Sequence, residues 1–309
     1  MKKYLNLRKV ATIVACLAVT TTFVQAQTPV TINVGTLGAT GAENSGNPTE
    51  AQWYYNAINK TLYLWSDNGN YTLTGTNANL RLRVDNYSNI NVTLNGANIA
   101  YSIISGSGSV YIGQAVNNFT ITLIGNNFLE GATENGIFIM SSGSFTITSS
   151  SGGSLTAKGQ NESILLTPAA NFVISGNAAV TAESTSRSAI AASGNIKMDD
   201  AAKLTMKPST AESHNFEKLN PASTYEWKLT NATTTDPLTN AVISVSVAAG
   251  QTVTVERVIG TSGIDDIAVE NATVTGYFDI LGRKLPEEPT KGLYIIQYDN
   301  GKTVKIIKN

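Results

Sequence analysis

His214 is the single histidine of the 309-residue chain, and Cys16 is its single cysteine. A Ser–His–Asp triad would rest on His214 alone, and no GxSxG elbow surrounds any serine. No Cys/His cluster has zinc spacing, and no GxxxxGK loop is present to cradle phosphate. His214 lies in a polar stretch and reads as solvent-facing. The acids Glu130, Glu134, Glu162, Glu183, Asp199 and Asp200 are scattered, whereas glycosidases use two carboxylates flanking the scissile bond. Asp199 and Asp200 are adjacent, and neighbouring side chains on a strand diverge. At a corner, with backbone carbonyls, the two are candidate ligands of a weak calcium ion; the other reading is a solvated turn. The expectation is that no residue is catalytic, that the protein is not an enzyme, and that no cofactor is required, calcium apart.

Binding chemistry is better represented. Thr120, Thr146 and Lys197, with Asn91, read as one flat polar surface of the kind along which polysaccharides lie. Lys158 and Lys207 are candidates to pair with uronic acid carboxylates. Charged residues make up 14% of the chain and the net charge is −1, which excludes the basic footprint that nucleic acid requires.

These residues are positioned by a repeat. NFTITLIGNN at 118–127 is echoed at 89–98, 144–153, 171–178 and 195–202. The anchors Ile90, Phe119, Phe145, Phe172 and Ile196 recur every 24 to 29 residues, a period that marks a repeat architecture. Apolar residues at the anchor and two positions on, separated by a mostly polar one, give a strand with one buried face. A second apolar start follows at Ile99, Phe128, Leu155, Val180 and Leu204, and a third at Ile137, Ile164 and Ile190. The pattern predicts an all-β, right-handed parallel β-helix with three short strands per coil and about five coils, its interior filled by stacked columns. Asn89, Asn118, Ser144, Asn171 and Asn195 would stack at one corner as a hydrogen-bonded ladder. Lys158, Glu183 and Lys207 would alternate on an outer column. On the third strand, Phe138, Leu165 and Ala191 would form an outward apolar stripe, covered by the flanks or by another protein molecule.

The flanks divide the chain further. Residues 1–26 read as a signal peptide: Lys2, Lys3, Arg8 and Lys9, an apolar run over 10–24, then Val24-Gln25-Ala26 before the cut. Ile13-Val14-Ala15-Cys16 offers a lipoprotein-type alternative. With cleavage after Ala26 the mature chain has no cysteine, hence no disulfide. Residues 27–87, with Trp53-Tyr54-Tyr55, Thr61 to Leu64 and Tyr71 to Thr74, read as a cap, with sugar stacking as the second role for Trp53 and its tyrosines. Residues 88–212 form the β-helix repeats. Residues 213–260 hold three strands that close the far end, and 261–309 hold a linker and a terminal domain.

That terminal segment carries Leu281-Gly282-Arg283-Lys284-Leu285, Lys291-Gly292-Leu293-Tyr294-Ile295-Ile296 and a turn at Asp299-Asn300-Gly301-Lys302 before a basic apolar end. It resembles the type A C-terminal sorting domain of the type IX secretion system of Bacteroidetes. The resemblance implies a small β-sandwich, recognition by the secretion machinery, and delivery to the cell surface or outside after export to the periplasm. Gly282, Arg283, Gly292, Leu293, Tyr294, Gly301 and Lys302 carry the motif. Residues 60–215, through phrases such as GSLTAKG and NFVISGNAAVTAES, resemble secreted bacterial β-helical carbohydrate-binding domain proteins, which implies acidic polysaccharide and calcium as ligands. The leading reading is a non-catalytic, surface-displayed carbohydrate-binding protein with no membrane span in its mature form. The alternatives are a structural or adhesive surface protein that binds other proteins, and a β-helical polysaccharide lyase.

Overall fold

The computed structural model describes residues 29–38, 52–85, 87–102, 108–167, 170–217, 225–234, 243–259, 273–299 and 303–308. The predicted signal peptide, the lipoprotein-type box, the predicted linker at 260–263, and Gly301 and Lys302 of the terminal motif lie outside them. The chain is essentially all-β and winds into a β-solenoid of about four turns. Among the described residues, no helix is long and apolar enough to cross a membrane.

The anchors form a continuous interior file. Ile90 is in register with Phe119, Phe119 with Phe145, Phe145 with Phe172, and Phe172 with Ile196, all in parallel strands. Five rungs enclose four intervals, so the predicted five coils are about four turns. The Phe119 and Phe145 rings stack 5.9 Å apart at 15°, and Phe145 and Phe172 5.3 Å apart at 8°. Each anchor is buried, and each Phe adds ring–ring attraction of about 0.5–1.5 kcal/mol to its area burial. A second file, Leu62, Leu82, Val110, Ile137, Ile164 and Ile190, runs along a separate parallel sheet.

The remaining column departs from expectation at its first two rungs. Leu155, Val180 and Leu204 share a register, but Leu155 lies opposite Asn127, and Phe128 lies opposite Thr156. Ile99 aligns with Leu129 instead. Phe128 therefore faces outward, and Asn127 takes the inward place at 5% exposure. The reason is polar satisfaction. Asn127 Oδ1 accepts from Ala97 N at 2.9 Å, and its Nδ2 donates to the carbonyls of Ile124, Gly125 and Ser154 at 3.1–3.3 Å. A corner that needs those four bonds outweighs the gain from burying Phe128. Shifting the strand by one residue restores period two and adds Glu130 to the outer charged column, opposite Lys158.

Corners are tight. Gly131 and Gly159 share a register, and a Cβ at either would overlap the backbone oxygen of Asn135 or Glu162. The asparagine ladder forms over part of its predicted length: Asn118 Nδ2 donates to Asn89 Oδ1 at 2.7 Å, and Asn89 Nδ2 to Asn68 Oδ1 at 2.8 Å. Asn68, which the repeat did not include, is its first rung.

Both ends of the winding carry additional strands. Trp53–Asn56 pairs antiparallel with Thr61–Leu64. Tyr55 is buried and Trp53 packs against the core, which fits a covering role. At the other end Val253–Ile259 lies antiparallel to Lys203–Lys207, and Ile243–Val247 antiparallel to Glu212–Phe216. Reversing strand direction ends the stacking of further parallel coils. Lys203 and Lys228 both reach Glu256 there, at 2.8 and 3.5 Å, and hold its carboxyl below the usual glutamate range. The C-terminal strands Val274–Phe278, Lys284–Leu285, Gly292–Tyr298 and Thr303–Lys308 make a separate antiparallel sheet.

Candidate functional site

The outward residues of the separate parallel sheet form a file that alternation alone dictates. Because Leu62, Leu82, Val110 and Ile137 point inward, their neighbours Tyr63, Arg83, Tyr111 and Phe138 point out, in register on successive strands about 4.8 Å apart. Tyr54 extends the file on the antiparallel strand, and Leu165 and Ala191 continue it at the other end. All seven are half-buried. The predicted apolar stripe is thus the far half of a longer, largely aromatic file.

Its geometry is that of interleaved rings and cations. Tyr54 stacks with Tyr63 at 6.2 Å and with Trp65 at 6.3 Å. The Arg83 guanidinium lies 5.8 Å from the Tyr63 centroid and 4.9 Å from that of Tyr111, and Arg81 lies 5.6 Å from Tyr111 and 5.4 Å from Tyr101. Phe138 meets Tyr111 edge-on at 5.8 Å. Such cation–ring contacts contribute about 0.5–2 kcal/mol each. The hydrogen bond to Asp85 raises the Arg83 guanidinium above its ordinary range, while burial lowers that of Arg81. A cleft of about 170 Å³ opens beside them, lined by Tyr63, Leu64, Trp65, Arg83, Asp85 and Tyr87. Trp65 is 38% exposed at its rim.

The sequence-derived binding residues lie on other faces. Thr120 is in register with Asn91 and Thr146, and Lys197 follows beyond Val173, so the flat polar surface exists as a column. Its lysine is engaged: Lys197 Nζ is 3.0 Å from Asp199. Lys158, Glu183 and Lys207 are in register as expected. Lys158 pairs with Glu130 at 3.1 Å, however, and Lys207 with Glu183 at 3.8 Å. A uronate would have to compete with these acids. Asp200 adopts a left-handed turn with φ +55° and accepts from Gly176 N at 3.1 Å, so each of the paired aspartates already has a partner. Among the described residues no group of three or more His, Cys, Asp or Glu is placed to hold a metal ion.

His214 is buried, at 8% exposure, against the expectation of a solvent-facing side chain. It alternates inward with Phe216 on Glu212–Phe216, while Ser213 and Asn215 are exposed. Its Nε2 is 3.4 Å from Glu212 Oε1, and Glu212 Oε2 accepts from Ile190 N at 3.2 Å. The alternation from Ser213 to Phe216 was the signal for this burial, and the surrounding polarity obscured it.

In the C-terminal sheet, Gly282 turns at φ +78° and Gly292 at φ +96°. Arg283 Nε donates to Asp279 at 2.6 Å, fixing the turn. Leu293 is 38% exposed, whereas Tyr294 is buried and donates to Glu288 at 2.6 Å, which pushes its hydroxyl pKa up to about 12.

Comparison with protein-family models, curated proteins and solved structures finds no match to this chain. Functional assignment therefore rests on the faces themselves.

Proposed function

We propose that the protein is a non-catalytic, secreted or surface-displayed carbohydrate-binding protein. The observation that carries the reading is the outward file of Tyr54, Tyr63, Arg83, Tyr111 and Phe138, with Trp65 beside it. Sugars present apolar C–H faces ringed by hydroxyls, and aromatic side chains combined with charged hydrogen-bonding groups match both features. The rungs recur at strand spacing, so a polymer with a repeating unit meets similar chemistry at successive steps. The Thr120–Thr146 column provides a second polar surface along the same solenoid.

In the same reading each turn is right-handed and contains three strands. The C-terminal sheet belongs to a β-sandwich that serves as a type IX secretion sorting domain, engaged by that machinery after the signal peptide has directed export to the periplasm. Gly282, Arg283, Gly292, Leu293 and Tyr294 supply the recognition features, together with Gly301 and Lys302.

Retention in native gels cast with acidic and neutral polysaccharides, with and without calcium, tests the ligand assignment. Retardation in at least one is the expected result, and unretarded migration in all of them would remove the carbohydrate reading. New reducing ends or unsaturated products would instead establish a lyase or hydrolase. Deleting 264–309 is expected to trap the protein in the periplasm; unchanged surface display would refute the sorting role.

A further inference from the structure

Arg83 is held as a rigid fork. Its Nε donates to both carboxylate oxygens of Asp85, at 3.0 and 2.8 Å. The Tyr63 and Tyr111 rings lie within 6 Å of its guanidinium carbon, at 5.8 and 4.9 Å. One acid and two rings thereby fix the plane of the group. Neither terminal nitrogen has a hydrogen-bond partner among the described residues, and the side chain is 34% exposed at the cleft. Asp85 spends its charge on Nε and leaves the terminal nitrogens open. Arg81 lies over the same Tyr111 ring.

A planar fork with two free donors is complementary to a carboxylate, which it can grip through two parallel charge-assisted bonds. Lysine cannot reproduce that geometry. Lys158, Lys197 and Lys207 engage acids through their single charged nitrogen, whereas the contact of Arg83 with Asp85 uses Nε alone. Trp65 and Tyr87 in the cleft wall supply apolar surface for the ring that bears the carboxylate.

We propose that Arg83 reads a carboxylate of the bound glycan directly, with no bridging metal ion, and that Asp85 is its positioning residue. This rests on the carbohydrate reading above. An arginine here supplies the counter-charge that a divalent cation supplies elsewhere, so recognition of the acid is independent of calcium.

The test is calorimetric titration of the full chain with an oligoglucuronate and with its carboxyl-reduced, neutral form, each with and without a chelator. Binding of the acidic form about tenfold tighter or more is expected, the scale of a charged hydrogen-bonded pair. Arg83→Gln is expected to abolish the difference between the two forms, and Arg83→Lys to lose most of it. Asp85→Asn is expected to reduce the preference without removing it, because the fork remains but its orientation is freed. Equal affinity for the two forms in the native protein would overturn the inference and leave the carbohydrate reading standing. So would a preference that disappears with the chelator, or one that survives in both Arg83 variants. Failure of both forms to bind would overturn the inference together with the reading beneath it.

Discussion

Asn127 occupies a place in an interior file that later rungs fill with Leu155, Val180 and Leu204. Asn127→Leu would match the apolar column but leave Ala97 N–H and three carbonyls without a side-chain partner. The expected cost is about 1–3 kcal/mol in urea unfolding. An unchanged midpoint would show that the corner finds its bonds elsewhere. Phe145→Ala, in the middle of the ring stack, should cost about 3–5 kcal/mol, since it removes two ring contacts and leaves a cavity. These two residues also show what was legible. Phe145 declared itself because an aromatic recurs at a fixed period. The phase of Phe128 was not legible, because hydropathy alone favours an inward phenylalanine over an inward asparagine. The four bonds that reverse the choice involve residues up to 30 positions away, which no local pattern encodes. The same slip hid Glu130, the partner of Lys158.

The strands that follow the repeat act as an element, and Glu256 is their electrostatic tie. Its pKa is depressed chiefly by the hydrogen bond from Lys203, then by Lys228. A depressed carboxylate contributes stability that is fully present above the ordinary glutamate value of about 4.3. That stability is lost as pH falls through the lower folded value. Acidification below the ordinary range is therefore expected to loosen this end first, by at most about 1 kcal/mol from this group. Thermal unfolding across pH 3–6, read by fluorescence, should flatten in Glu256→Gln relative to the native chain. Identical profiles would remove Glu256 from the account. The sequence signalled these strands by alternation, as in Ile243–Val247. Their pairing was not legible. Leu204 meets Val255, 51 positions further along the chain, and the direction of a strand leaves no trace in its composition.

At the scale of the whole molecule, the solenoid turns a one-dimensional period into faces. Inward files are legible because each rung must be apolar, and the 24 to 29-residue spacing exposes them. Outward files are free to vary, so the sequence places Thr120 beside Thr146 but does not connect Tyr63 to Arg83 and Tyr111. Those residues belong to the first, irregular rungs, where the spacing drifts away from the repeat. The aromatic–arginine file emerges only when the windings are laid on one another. The account stands most directly on whether that file holds a glycan. Calorimetric titration of a polysaccharide retained by the native protein should be repeated on the Tyr63→Ala/Tyr111→Ala double variant, with circular dichroism to confirm the fold. The account predicts affinity at least about fivefold weaker, the sum of two ring contacts of roughly 0.5–1.5 kcal/mol each. Native affinity in the folded double variant would contradict it.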